Sequence, residues 1–167
     1  MTTGLYDYAR LDASGEANRA IFRMEARAID PASEALFEAL VAPLVDAWPG
    51  DAAVLEVGAG TGALARRVAQ RHATARVHAT DLSQEMVAAA ARYAEDHPGK
   101  TRLTFAAGAA EDALGDAENR WDAVLSSVMI PYLQDTAIDS LAKRLGAALR
   151  TGGVAVFLEQ DLATDSL

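Results

Sequence analysis

The stretch VLEVGAGTG at positions 54–62 holds the first residues whose types and spacing fit chemistry. Glu56 runs into Gly58, Gly60 and Gly62 at alternate positions, and a helical pattern begins directly behind them. Glycine has no Cβ, so a ligand can lie against the backbone there, and the helix start adds unpaired N–H groups. Dinucleotide folds space their glycines G-x-G-x-x-G and phosphate loops G-x-x-x-x-G-K-[ST]; this chain has neither. A carboxylate ahead of the turn suits a positively charged ligand better than a pyrophosphate. Asp81, at the end of RVHATD, is the second anchor. An acid at that place can accept both hydroxyls of a ribose, and its structural alternative is to cap the helix that follows.

Other candidates for catalysis are thin. His72 and His78 lie in or beside the second crossover and strand and read as structural histidines, while His97 precedes Pro98 and Gly99 in a turn and is expected in solvent. No Ser-His-Asp order, no H-x-x-x-H spacing and no paired acids on one helix face occur. No general base is assigned.

These residues need elements to position them. From residue 52 onward, short β-like runs at 53–57, 75–80, 102–107, 121–127 and 153–159 alternate with helical patterns at 63–72, 84–96 and 135–149. Strands separated by helix-length crossovers predict a doubly wound, mostly parallel α/β sheet, in which ligands bind beyond the carboxyl ends of the strands. Residues 1–16 read as an arm carrying Tyr6, Tyr8 and Arg10, and 17–29 as a helix. Asp30 and Pro31 read as an N-cap and first helical position. Leu36, Phe37, Leu40, Val41, Leu44 and Val45 form a stripe at helical spacing that must pack on something, and Pro43 interrupts it. The division expected is an N-terminal arm and helices over 1–50, on the lid or substrate side, and a cofactor-binding α/β unit over 51–167.

In the form E-x-G-x-G-x-G, the turn resembles motif I of the class I S-adenosylmethionine-dependent methyltransferases. RVHATD, RLTFAAG, WDAVLSS and LRTGGVAVFLEQD resemble the family's second to fifth strands in order, so the resemblance covers about residues 50 to 165. It implies a Rossmann-like methyltransferase fold, S-adenosylmethionine as cofactor, and contacts from Glu56, Gly58, Ala59, Gly60, Gly62, Asp81, Leu82, Ala110, Glu111 and Ser126. The family often reads G-D-A-E after the third strand. Here Ala109 stands where that aspartate would meet the adenine amino group, which leaves the Ala110 backbone contact, with Glu111 or Asp112 as replacement acceptor. Met129, Ile130, Pro131 and Tyr132 read either as the substrate side or as ordinary core and turn residues. Family members usually continue with a helix and an antiparallel hairpin that complete seven strands. This chain stops at Leu167, so its C-terminal strands are expected to be missing: either the chain is truncated, or an identical subunit or partner chain covers the fifth-strand edge, where Val154 to Leu158 run apolar.

Composition narrows the partners. In 167 residues, 15 basic against 24 acidic side chains give a net charge of −9, which disfavours nucleic acid and leaves a small-molecule substrate. Arg66, Arg67 and Arg71 cluster locally and read as a solvated helix face. Zero cysteines exclude disulfides, thiolate metal sites and a cysteine nucleophile. No apolar run reaches the roughly 18 residues of a membrane span and MTTGLYDYAR is not a secretory signal, so a cytoplasmic protein is expected. Methyl transfer to a small acceptor is the first reading of function. The second is a methyltransferase-like module that binds the cofactor without transferring methyl, as a partner subunit or in support of a cyclisation. An NAD-dependent oxidoreductase is disfavoured by the glycine spacing.

Overall fold

A computed structural model describes residues 16–115, 118–130, 133 and 135–159. Tyr6, Tyr8, Arg10, Pro131 and Tyr132 lie outside the described residues. Five strands, β1 (Ala53–Val57), β2 (Arg76–Asp81), β3 (Leu103–Ala107), β4 (Trp121–Ser127) and β5 (Leu149–Leu158), form one sheet in the order β3-β2-β1-β4-β5. Every pairing is parallel. The strand order reverses between β1 and β4, so the loop leaving β1 stands at the switch point where such sheets bind ligands.

The helices are α1 (Glu16–Ala28), α2 (Pro31–Leu36), α3 (Ala42–Asp46), α4 (Ala63–Arg71), α5 (Gln84–Ala94), α6 (Ala110–Leu114) and α7 (Asp135–Ala148). They divide between the faces. Ala65, Val68 and Ala69 of α4 and Ala94 of α5 join Val54, Val77, Ala123 and Leu125 in one core, while Leu114, Leu141, Leu145 and Ala148 of α6 and α7 meet Leu55, Val57 and Val124 in the other. Strands buried on both faces read as continuous apolar runs, which is why VLEV and AVL were legible as strands. None of the described helices is long and apolar enough to cross a membrane.

The stripe over 36–45 splits. Phe37, Val41 and Val45 enter the core, but Leu36 and Leu40, each more than half exposed, and Leu44 stay outside. Both rows repeat every four residues, and only one can face the sheet. Pro43 does not end the helix: Phe37–Val41 forms a π-turn, with the Ala42 N–H donating to the Phe37 carbonyl. The wider turn lets the chain pass a residue that has no N–H and would crowd the carbonyl four residues back. Asp30 caps as expected, its Oδ1 accepting from the Ala32 N–H at 3.0 Å with Pro31 at the first helical position.

Arg66, Arg67 and Arg71 do not form a solvated face; they hold the N-terminal helices on α4. Arg66 meets both carboxylate oxygens of Glu25, at 3.0 and 2.8 Å, and Arg67 donates to the carbonyls of Ser33 and Ala28 and pairs with Glu34. Arg71 grips Asp46 and Glu38. Sequence spacing showed three cations in a row; their acids lie some 25 to 41 positions away.

Candidate active site

Gly58, Gly60 and Gly62 all take positive φ, at 65°, 54° and 71°. The first two face side chains from elsewhere in the fold: a Cβ on Gly58 would stand 2.9 Å from Met129 Cγ, and one on Gly60 would stand 2.5 Å from Met24 Cε. Two thioethers therefore lie on the bare backbone, one from α1 and one from the loop after β4. Gly62 has another task. Its missing side chain admits Phe105 of β3 and Ala90 of α5, so it serves packing at the start of α4.

Asp81 locks the turn. Its Oδ2 accepts from the Gly60 N–H at 2.8 Å and its Oδ1 from the Ser83 N–H at 2.9 Å, both buried. Ala59 N–H donates to the Thr80 carbonyl at 2.9 Å, and Gly108 N–H to the Asp81 carbonyl at 2.9 Å. The ends of β1, β2 and β3 are thus tied at one edge. Capping of α5 falls to Ser83, whose Oγ accepts from the Met86 N–H at 3.2 Å. Each carboxylate oxygen has two lone pairs, so Asp81 can hold the turn and still accept from ribose hydroxyls.

Glu56 is 1% exposed, and its Oε2 has no hydrogen-bond partner among the described residues. Burial pushes its pKa from 4.5 up to about 8; the Ala65 N–H in the first turn of α4 pulls the other way, the Asp81 charge raises it further and Arg66 lowers it. A buried, unsatisfied acid costs stability unless something cationic or hydrogen-bonding meets it.

The remaining expected residues divide. Leu82, 41% exposed, follows Asp81 at the rim and offers an apolar surface. Ala109 is the N-cap of α6 with extended backbone and no side-chain bond to the helix, and Ala110 and Glu111 begin that helix half-buried. Ser126 is fully buried, and its Oγ has no partner among the described residues. Strand alternation sets Ser126 with Val124 toward α7 and Glu56 with Val54 toward α4, so the two lie on opposite faces of the sheet. Met129 and Ile130 pack against the α7 side of the core, and their N–H groups donate to Glu159 Oε1 at 3.3 and 3.2 Å.

Met24 and Glu159 escaped the sequence reading. Met24 had only helical periodicity to mark it, and Glu159 follows the last strand without a motif. His72 Nδ1 accepts from the Ala75 N–H, and His78 Nδ1 lies 2.8 Å from Thr104 Oγ1. His97 is only partly in solvent. Its Nδ1 accepts from the Gly99 N–H at 3.0 Å, its Nε2 is buried, and burial lowers its pKa. No cluster of three or more metal-ligating His, Asp or Glu side chains occurs among the described residues.

A parallel sheet in this order, with an acid-flanked glycine turn at its switch point and a carboxylate ending the next strand, defines a Rossmann-like methyltransferase domain. A methyltransferase-domain family model matches residues 54–153, and the chain belongs to the class I S-adenosylmethionine-dependent methyltransferases. It is 30% identical over 87% of its length to phosphoethanolamine N-methyltransferase 1 of Zea mays, covering 28% of that protein. Among solved structures, the DhpI-SAM-HEP complex shares 25% identity at a TM-score of 0.65, covering 89% of this chain and 64% of that one. The [4+2]-cyclase SpnF shares 28% at a TM-score of 0.59, over 70% and 43%. The chain spans between 28 and 38% of the length of the curated relatives it matches.

The residues fit the family's cofactor, S-adenosylmethionine. Gly58 and Gly60 carry no Cβ, Glu56 Oε2 has no partner among the described residues, and both acids suit a molecule bearing a ribose, an ammonium and a sulfonium.

Proposed function

We propose that this chain transfers the methyl group of S-adenosylmethionine to a small-molecule acceptor. The observation that carries the reading is the Asp81 carboxylate bonded to Gly60 N–H, which sets an acid beside the glycine turn at the switch point of the sheet and supports its use as a ribose acceptor. When bound, the sulfonium supplies an activated methyl group. The chain's own task is then positional: Asp81 receives the ribose hydroxyls, Gly58, Ala59, Gly60 and Gly62 form the turn, and Leu82 backs the base. Ala110 and Glu111 border the adenine, Glu56 answers the positive charge and Ser126 closes the methionyl end. Aligning nucleophile, methyl carbon and sulfur can lower such a barrier by about 7 to 11 kcal/mol without a dedicated base. The net charge of −9 supports a small acceptor over a polyanion.

The N-terminal helices, from α1 onward, serve as a lid on the site. Met24 lies over Gly60, so α1 must shift for a ligand to reach that backbone, and the Glu25–Arg66 pair holds it closed. The edge of β5, unpaired among the described residues and with Val154, Val156 and Leu158 only partly buried, suits pairing with a partner strand or a second copy.

Calorimetry with S-adenosylmethionine and with NAD tests the cofactor, and S-adenosylhomocysteine release by this chain alone tests transfer. Asp81→Asn should weaken S-adenosylmethionine about tenfold or more, because a charge-assisted bond contributes about 1.5–3 kcal/mol. NAD binding more tightly, or neither binding, refutes the reading. A second reading, cofactor binding without methyl transfer, draws on the Ala109 N-cap, which brings no side-chain acceptor to the adenine edge, and on the likeness to a cyclase. Tight binding without product distinguishes it.

A further inference from the structure

The amino-terminal ends of the strands form a second concavity, at the end of the sheet opposite the glycine turn. A cavity of about 380 Å³ there is lined by Arg76, Arg102, Arg120, Arg150, His78 and Trp121, with no aspartate or glutamate among its lining residues. Four arginines share one opening in a chain whose net charge is −9.

Their charges are answered unequally. Arg150 donates to Asp122 Oδ2 at 2.6 Å, and that oxygen also accepts from the Ala53 N–H. Arg102 is pinned by three backbone carbonyls, of Ala69, His72 and Ala75, at 2.7 to 3.1 Å. These orient its guanidinium and leave the charge uncompensated. Arg120 lies over the Trp121 ring, 4.7 Å from its centroid, and neither Arg120 nor Arg76 pairs with a carboxylate among the described residues. Trp121 is 5% exposed, and its buried Nε1 has no acceptor there. The His78 ring lies parallel to it, 8° off plane with centroids 6.2 Å apart. A guanidinium fixed by three carbonyls, with further arginines around the same opening, is what an anion requires.

We propose that this cavity is a binding site for a small phosphate-bearing molecule, separate from the cofactor site. Guanidinium groups meet phosphate oxygens in a two-pronged geometry that ammonium groups lack, and the volume falls in the roughly 300–1,000 Å³ range of small-ligand pockets. The phosphate lies between Arg76 and Arg120, the exposed arginines that meet no carboxylate among the described residues, and Arg102 adds a fixed positive field behind it.

The test uses pyrophosphate as probe on the full chain, by calorimetry and thermal melting against sodium chloride at equal ionic strength. Pyrophosphate should raise the melting temperature where chloride does not. The exposed Arg76→Gln and Arg120→Gln substitutions, singly and together, should each weaken it, the pair by about tenfold or more. S-adenosylmethionine binding should be unchanged in both variants, and Asp81→Asn should bind pyrophosphate as the native chain does, so this site and the cofactor reading stand or fall separately. Equal effects of chloride, native affinity in the double variant, displacement of pyrophosphate by S-adenosylmethionine, or binding of a single-stranded oligonucleotide without pyrophosphate would each overturn the proposal.

Discussion

The Glu56 carboxyl ionises near 4.5 when unfolded but keeps its proton in the fold until about 8, because burial penalises the charged form. Its protonation therefore supports the fold below 4.5, and that support is lost as pH rises through 8. Between those values stability should fall by up to about 1.4 kcal/mol per pH unit, and Glu56→Gln should remove the slope, as denaturant titrations at several pH values would show. A cationic ligand favours the ionised form, so S-adenosylmethionine should release protons on binding near neutral pH. Calorimetry in buffers of different ionisation enthalpy reads that release, and its absence in Glu56→Gln would tie it to this side chain. At Gly60, alanine meets both a φ of 54° and Met24. About 1–2 kcal/mol of stability should be lost, with a larger loss in cofactor affinity. Glu56 and Asp81 were legible because an acid beside a glycine turn has few other uses. The environment of Glu56 was not, since a sequence shows that a residue follows an apolar run but not that its second oxygen goes unmet.

Helix α1 is held chiefly by contacts that no local pattern announces. Ile21 meets Met86 and Ala89 of α5, and Glu25 meets Arg66, with side chains 18% and 14% exposed. Arg66→Ala leaves Glu25 half-dry and alone. Hydrogen exchange in residues 16–28 should quicken, global stability should drop by about 1–3 kcal/mol, and association of S-adenosylmethionine should speed up if α1 covers the turn. Stopped-flow mixing measures the last, and unchanged rates would leave the arginine a structural tie only. β1 and β4 were read to the residue because both are buried on both sides, whereas β5 begins at Leu149, four positions ahead of its expected start at 153. The stripe from Leu36 to Val45 misled, since its arc of apolar side chains is wider than the face the sheet can cover, and the π-turn that carries it past Pro43 is a tertiary accommodation.

The net charge of −9 and the β5 edge, unpaired among the described residues, are properties at the scale of the whole molecule. If a strand pairs there, light scattering at rising concentration should give a mass above that of one chain, and lysine at Val156 should return it to one; a concentration-independent single mass would rule out a second copy as the partner. The architecture carries a further consequence for how the molecule is made. β1 lies between β2 and β4, and the bond from Ala53 N–H to Asp122 spans 69 positions, so the first strand synthesised waits for the fourth. Loop closure over such distances slows folding, toward the millisecond-to-second regime of chains rich in non-local pairings. While the ribosome is still making residues 58–120, the strand that feeds the glycine turn has one flank unpaired. The strand that leads into the glycine turn is thus begun early and finished late.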